Sequence, residues 1–339
     1  MGLKLSGIKA TYKNMKKILI LFLLFFGISN TFALSKDEKL YNACLSDTPN
    51  LKEINALIKS GADVNAKFEI EEIVFTPLFA ALHSEKPNID VITTLIKSGA
   101  DVNHNCNNGL TPLIYAMVIE NSEIFNAFIN AGADLDMINI PGKNIKMLRT
   151  EVTQALYFAV MADKKTYKPN HFEEDNLSFP AENVSWYDAI EFCNELSIRM
   201  GLTPVYTING FDVTWNHSAT GFHLPTEEEW EYAAKGGDNY RYSGSNNVDE
   251  VAWYSGNSEG KTHPVALKKP NGYGLYDMSG NVSEWCWDVD LEDRFICSIR
   301  GGSYSYSDAE GLKCQVYYRD RDSMLFPEVT IGFRIVRNK

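Results

Sequence analysis

Six cysteines, six histidines and a run of three glutamates are the residues of this 339-residue chain with the most obvious chemical potential. The cysteines are Cys44, Cys106, Cys193, Cys286, Cys297 and Cys314, and no two stand as C-x-x-C, so a zinc knuckle is not indicated. No two histidines stand as H-x-x-x-H, the spacing that sets two imidazoles on one helix face. His223 and His263 stand alone, and a lone imidazole is expected to be a hydrogen-bonded structural group. Glu227, Glu228 and Glu229 follow Pro225-Thr226 and invite an acid/base reading. Their place in the first turn of a helix argues instead for a cap and a solvated face, because the positive end of the helix dipole favours carboxylates there.

The elements that must position these groups fall into three parts. Lys13, Lys16 and Lys17 precede an apolar run, Ile18 to Ile28, which ends at Thr31-Phe32-Ala33. That is the layout of a secretory signal peptide over residues 1–33, too short to span a bilayer comfortably. Export to the periplasm or beyond the cell is expected, with no stable membrane insertion after cleavage. Disulfides are then possible, with connectivity left open. The formal net charge of −12 argues against a nucleic-acid partner, which would need a basic face. An apolar content of 45% supports folded cores rather than disorder.

Residues 38–140 repeat. Gly-Ala-Asp recurs at 61–63, 99–101 and 132–134, and Thr-Pro-Leu at 76–78 and 111–113. Thr76 and Thr111 suit helix N-caps, and Pro77 and Pro112 the first helical position. Leu78, Ala81 and Leu82, with Leu113, Ala116 and Met117, line first helices. Leu51, Ile54, Leu57 and Ile58, then Val91, Ile92, Leu95 and Ile96, then Ile124, Phe125, Phe128 and Ile129 line second helices. This resembles about three ankyrin repeats, the first one lacking Thr-Pro-Leu.

From about Leu148 the period stops and Trp, Tyr, Gly and Asn become frequent. TEVTQALYFAVM (150–161), VSWYDAIEFCNELS (184–197) and GFHLPTEEEWEYAAKGG (221–237) read as helices with their approaches. KPNGYGLYDMSGNVSEWCWD (269–288) is a Gly/Asn-rich loop, and RGGSY (300–304) and IGFRIVR (331–337) read as strands. In this order the motifs resemble the formylglycine-generating, or sulfatase-modifying factor, family over 148–339. The resemblance implies an α+β architecture: a helical ankyrin stack followed by a variant of the C-type lectin fold. The strands that usually precede the EVTQ helix are missing, so the domain is expected to be truncated at its start and a fragment from 145 onward to fold poorly.

The resemblance also sorts the chemistry. Copper-dependent members carry a cysteine pair after GGSY. In a gapless alignment from Gly301 to Arg319 those places hold Tyr306 and Gly311, with Cys314 three residues further on, so copper is not expected: a soft Cu(I) ion needs both thiolates. Iron-dependent members use three histidines, and the repeats offer only His83 and His104. What carries over is calcium, with a side-chain oxygen from Asp277, carbonyls from Gly280 and Val282, and a carboxylate from Glu284, an all-oxygen set suited to Ca²⁺. The enzymes' site corresponds to Ser303, Tyr304, Tyr306, Tyr317 and Arg319, expected here to bind a protein or glycan. The expected function is thus an exported, non-catalytic binding protein. The alternatives are a formylglycine-generating or related metal-dependent oxidase, and an ankyrin-mediated protein–protein adaptor.

Overall fold

The structure is a computed structural model, and it describes residues 34–70, 73–107, 109–119, 121–161, 177–290, 292–305 and 311–339. The expected signal segment and Tyr306 lie outside the described residues. The chain divides into two compact units at Asp134/Leu135.

In the first unit, paired helices follow the repeat. They run Lys36–Leu45 and Leu51–Lys59, then Pro77–His83 and Ile89–Lys97, then Pro112–Val118 and Ser122–Asn130. Each begins on a side-chain cap, from Ser35, Asn50, Thr76, Asn88, Thr111 and Asn121 in turn. A hairpin of β1 (Phe68–Ile70) and β2 (Ile73–Phe75) joins the first two pairs. Leu40, Ile54, Leu78, Leu82, Ile92, Leu95, Leu113, Ile124 and Phe128 form the core, while Leu57, Ile96 and Phe125 at the edge of the apolar stripe are half-buried.

The recurring Gly-Ala-Asp and the residues just after it have two jobs. Gly61, Gly99 and Gly132 close the second helices at φ +92°, +92° and +86°, where a side chain would be strained. Beyond them a polar ladder stitches repeat to repeat. The Asp63 amide donates to Asp37 Oδ1 (2.7 Å), the Asp101 amide to Asn65 Oδ1 (2.7 Å), and the Asp134 amide to Asn103 Oδ1 (3.0 Å). Asn65 Nδ2 returns a bond to the Gly99 carbonyl (2.9 Å).

The second unit is built on two four-stranded sheets. β3 (Met137–Asn139), β4 (Ile145–Leu148), β7 (Phe222–His223) and β12 (Val336–Asn338) form one in the order β3-β4-β12-β7. β8 (Ser283–Val289), β9 (Ile296–Arg300), β10 (Asp320–Ser323) and β11 (Ile331–Gly332) form the other in the order β10-β9-β8-β11. β5 (Tyr206–Asn209) and β6 (Asp212–Trp215) make a separate hairpin. Three longer helices, Gln154–Met161, Trp186–Arg199 and Glu227–Lys235, cover the sheets. Ser185 and Thr226 cap the last two, each with a capping box.

Two expectations change. The edge thought to be missing is present: the β3–β4 hairpin pairs with β12, Met147 opposite Val336, and belongs to the second unit. IGFRIVR is not one strand, since β11 and β12 are separated by Phe333–Ile335, which turns Arg334 into the core. All six cysteines are buried. Cys297 sits in β9, and Cys314 ends a single 3₁₀ turn, Leu312–Cys314.

Candidate functional site

The densest chemistry in the second unit is a set of ionisable groups in its core. Arg334 has no exposed surface, and every N–H of its guanidinium finds an acceptor. Nη1 donates to the carbonyls of Leu148 and Arg149 (3.0 Å each), and Nη2 to the Tyr276 carbonyl (2.9 Å) and Glu284 Oε1 (2.7 Å). Nε lies 3.1 and 2.9 Å from the two oxygens of Glu284. Trp230 Nε1 donates to Glu284 Oε2 at 2.7 Å. One ion pair therefore ties β4, the 274–282 loop, β8 and the helix Glu227–Lys235 together.

The loop ahead of β8 curls through four left-handed residues, Gly274 (φ +83°), Asp277 (φ +56°), Gly280 (φ +81°) and Asn281 (φ +60°). At Gly280 a side chain would strike the backbone of Trp253. Asp277 is buried, accepts from the Ala266 amide at 2.7 Å, and has its pKa pushed up to about 6, mainly by burial. Of the expected calcium ligands, Asp277 and the Gly280 and Val282 carbonyls thus share one tight loop. Glu284 differs from its expected role, because both of its oxygens are already engaged by Arg334 and Trp230. Among the described residues no group of three His, Cys, Asp or Glu side chains is arranged to hold a metal ion. The carboxylate that sequence reasoning passed over is Glu151, at the start of the EVTQ motif. It is completely buried, and neither oxygen has a hydrogen-bond partner.

Of the residues expected to line a cleft, the four described ones divide between interior and surface. Ser303 is fully buried and Tyr304 4% exposed, its hydroxyl donating to the Val329 carbonyl at 3.4 Å. They are interior groups, a correction that follows from Gly301 and Gly302 turning the chain inward at φ +94° and +70°. Tyr317 is 56% exposed. Arg319 lies outside as well, 3.4 Å from Glu231 and 3.9 Å from Glu227. Gly311, at the second cysteine place of the copper enzymes, has φ +63°, and a Cβ there would lie 2.7 Å from Val248 Cγ2.

The three glutamates are structural, as expected. Glu227 pairs with buried Arg300 at 3.2 Å, Glu228 with Lys143 at 2.7 Å, and Glu229 closes the capping box on the Thr226 amide at 2.9 Å. His263 stacks on Trp253 with centroids 3.8 Å apart, its Nε2 2.9 Å from the Ser258 carbonyl. His223 Nδ1 lies 2.9 Å from the Leu224 carbonyl, and burial lowers the pKa of the ring.

A helical repeat unit followed by a mixed two-sheet domain, knotted around a buried Arg–Glu pair, is the class of protein these features define. The chain belongs to the family of the sulfatase-modifying factor enzyme 1-like domain, whose model matches residues 121–339, and ankyrin repeats in three copies match residues 40–139. A protein named chaperone protein LppX, from Paenibacillus barcinonensis, is 43% identical over 173 residues, 41% of this chain and 60% of its own length. The formylglycine-generating enzyme of Thermomonospora curvata is 34% identical over 143 residues, 37% of each chain. The chain thus spans only part of the length of these relatives. Among solved structures, Treponema denticola variable protein 1 superposes with a TM-score of 0.53 at 33% identity, covering 60% of this chain and 91% of that one.

Proposed function

We propose that the protein is an exported, non-catalytic binding module that recognises another protein, with calcium as a structural ion. The observation that carries the non-catalytic reading is Gly311. It offers no thiolate where a Cu(I) site would need one, and its left-handed backbone would strain any side chain placed there, which would also press on Val248 Cγ2. Cys314 offers no substitute, since burial pushes its neighbourhood out of reach of solvent: it is 1% exposed among Tyr242, Val251 and Tyr254. A protein partner, rather than a glycan, is favoured by the ankyrin repeats and by a relative whose name describes a chaperone. Exposed Tyr317 and Arg319 supply the aromatic and guanidinium groups common at recognition surfaces.

The test is incubation with a peptide carrying Cys-x-Pro-x-Arg, copper and a reductant, read by mass spectrometry beside an active family member. No aldehyde is expected. Turnover that vanishes in Cys314→Ser would make this an oxidase with a rearranged site.

Export rests on the Lys-flanked apolar run, and among the described residues no helix is long and apolar enough to cross a membrane. N-terminal sequencing of protein from its native host is expected to begin near Leu34; an intact Met1 or Met15 would refute export.

The donor set around the 277–282 loop is all oxygen, as Ca²⁺ requires, with the Asp277 carboxylate and the Gly280 and Val282 carbonyls as ligands. Glu284 would join them only by sharing an oxygen with Arg334. The ion would act as a cross-link that holds the loop against the sheet.

A further inference from the structure

The hairpin of β5 and β6 carries an aromatic side chain at its turn, a place usually held by small or polar residues. Its strands close on the pair Asn209–Asp212, so Gly210 and Phe211 form the tip. Phe211 is 60% exposed. A ring left in water contributes little to folding, because burial is what stabilises an apolar group. The ring is nonetheless held in place. The Tyr187 hydroxyl donates to the Phe211 carbonyl at 2.9 Å, and the Phe211 ring lies edge-on to Tyr187 (centroids 5.8 Å) and to Phe295 (5.7 Å). Tyr187 and Phe295 are half-buried, and Ile208 on β5 and Val289 at the end of β8 are exposed. The helix Trp186–Arg199, the hairpin and the residue before β9 thus present one ordered aromatic patch.

The rim of this patch is charged, and unequally. Asp212 pairs with Arg294 at 3.2 Å, and Asp290 pairs with Arg321. Glu292 and Asp293, in the β8–β9 connection, are exposed and stand in no ion pair among the described residues. The two pairs cancel, so Glu292 and Asp293 leave the rim negative, in a chain of formal net charge −12. The patch also accepts a cation on an aromatic face: the Arg294 guanidinium lies over the Phe295 ring, 4.9 Å from its centre.

We propose that this patch docks a protein partner through a segment that offers an apolar side chain flanked by lysine or arginine. The inference rests on the protein-binding reading given above and names a surface for it. A central aromatic ring shielded from water by the partner is the usual seat of binding energy. Because the ring is already fixed, little ordering opposes association. The excess carboxylates select basic flanks and repel acidic ones.

The experiment uses the full chain and two synthetic peptides read by fluorescence anisotropy, one with leucines at its centre and lysines on either side, the other with glutamates in place of the lysines. The lysine peptide is expected to bind and the glutamate peptide not to. Phe211→Ser is expected to bind the lysine peptide about tenfold more weakly, with little change in melting temperature. Should serine disturb the hairpin, Glu292→Lys on the exposed rim is the second variant, expected to weaken binding and to flatten its dependence on salt. Equal binding by the wild type and both variants overturns this surface; if Tyr317→Ala then abolishes binding, the protein-binding reading stands elsewhere on the domain. Binding of neither peptide overturns the proposal. If the wild type instead binds a neutral chito-oligosaccharide or phosphatidylcholine vesicles, and Phe211→Ser does not, the patch serves a glycan or a lipid surface and the protein-binding reading fails with it. Dimerisation in the ultracentrifuge that Phe211→Ser abolishes would give the patch to a second copy of this chain and overturn the basic partner.

Discussion

Arg334→Met is expected to destabilise the second unit by about 3–5 kcal/mol, the usual cost of leaving one partner of a buried ion pair uncompensated. The substitution removes more than a charge. Glu284 would keep only the Trp230 indole, and the carbonyls of Leu148, Arg149 and Tyr276 would lose their buried donor. Since a whole domain is typically stable by about 5–15 kcal/mol, this single change consumes much of the margin. Urea unfolding monitored by tryptophan fluorescence reads it directly. Arg334→Met combined with Glu284→Leu is expected to be less destabilised than the single variant, because an apolar pair leaves no orphaned charge. A loss below about 1 kcal/mol for Arg334→Met would show that the pair does not organise the core.

A fragment beginning at Leu135 is expected to unfold cooperatively, and one beginning at Arg149 not to fold. The difference is the β3–β4 hairpin. It places Ile140, Ile145 and Met147, all nearly inaccessible, in the core cluster that contains Trp230, Met278 and Val336. Losing one large buried aliphatic side chain costs about 2–5 kcal/mol, so losing three, about 6–15 kcal/mol, is comparable to the whole stability of an ordinary domain. The shorter fragment would also bare the β12 edge, which pairs with β4 along Val336, Arg337 and Asn338. A sharp melting transition for the Arg149 fragment would mean that the hairpin is dispensable.

Where sequence reasoning succeeded, the information was local. The caps at Thr76 and Thr111 act on amides within the next turn, so residue type and spacing suffice to find them. The repeat glycines were legible for the same reason: a left-handed C-cap is a property of one residue and its helix. The three glutamates were read correctly as helix-start groups, although Lys143 and Arg300, their partners, come from far along the chain and could not be named.

What only the tertiary structure decided is which polar groups share the interior. Glu151 and Glu284 look alike on the page, each a glutamate in a family motif. Leu148, Tyr276, Glu284 and Arg334 meet because β4, the 274–282 loop, β8 and the turn before β12 converge, and separations of up to 186 residues carry no periodic signal. The same convergence turned Ser303 and Tyr304 inward from the surface that the resemblance had given them. It likewise made residues 137–148 an edge of the sheet β3-β4-β12-β7. Pattern determines which face of an element is apolar. The free energy of burying charge is set by neighbours brought together in space, so only the folded arrangement reveals that Arg334 serves Glu284 and that both Glu151 oxygens are buried without a hydrogen-bond partner.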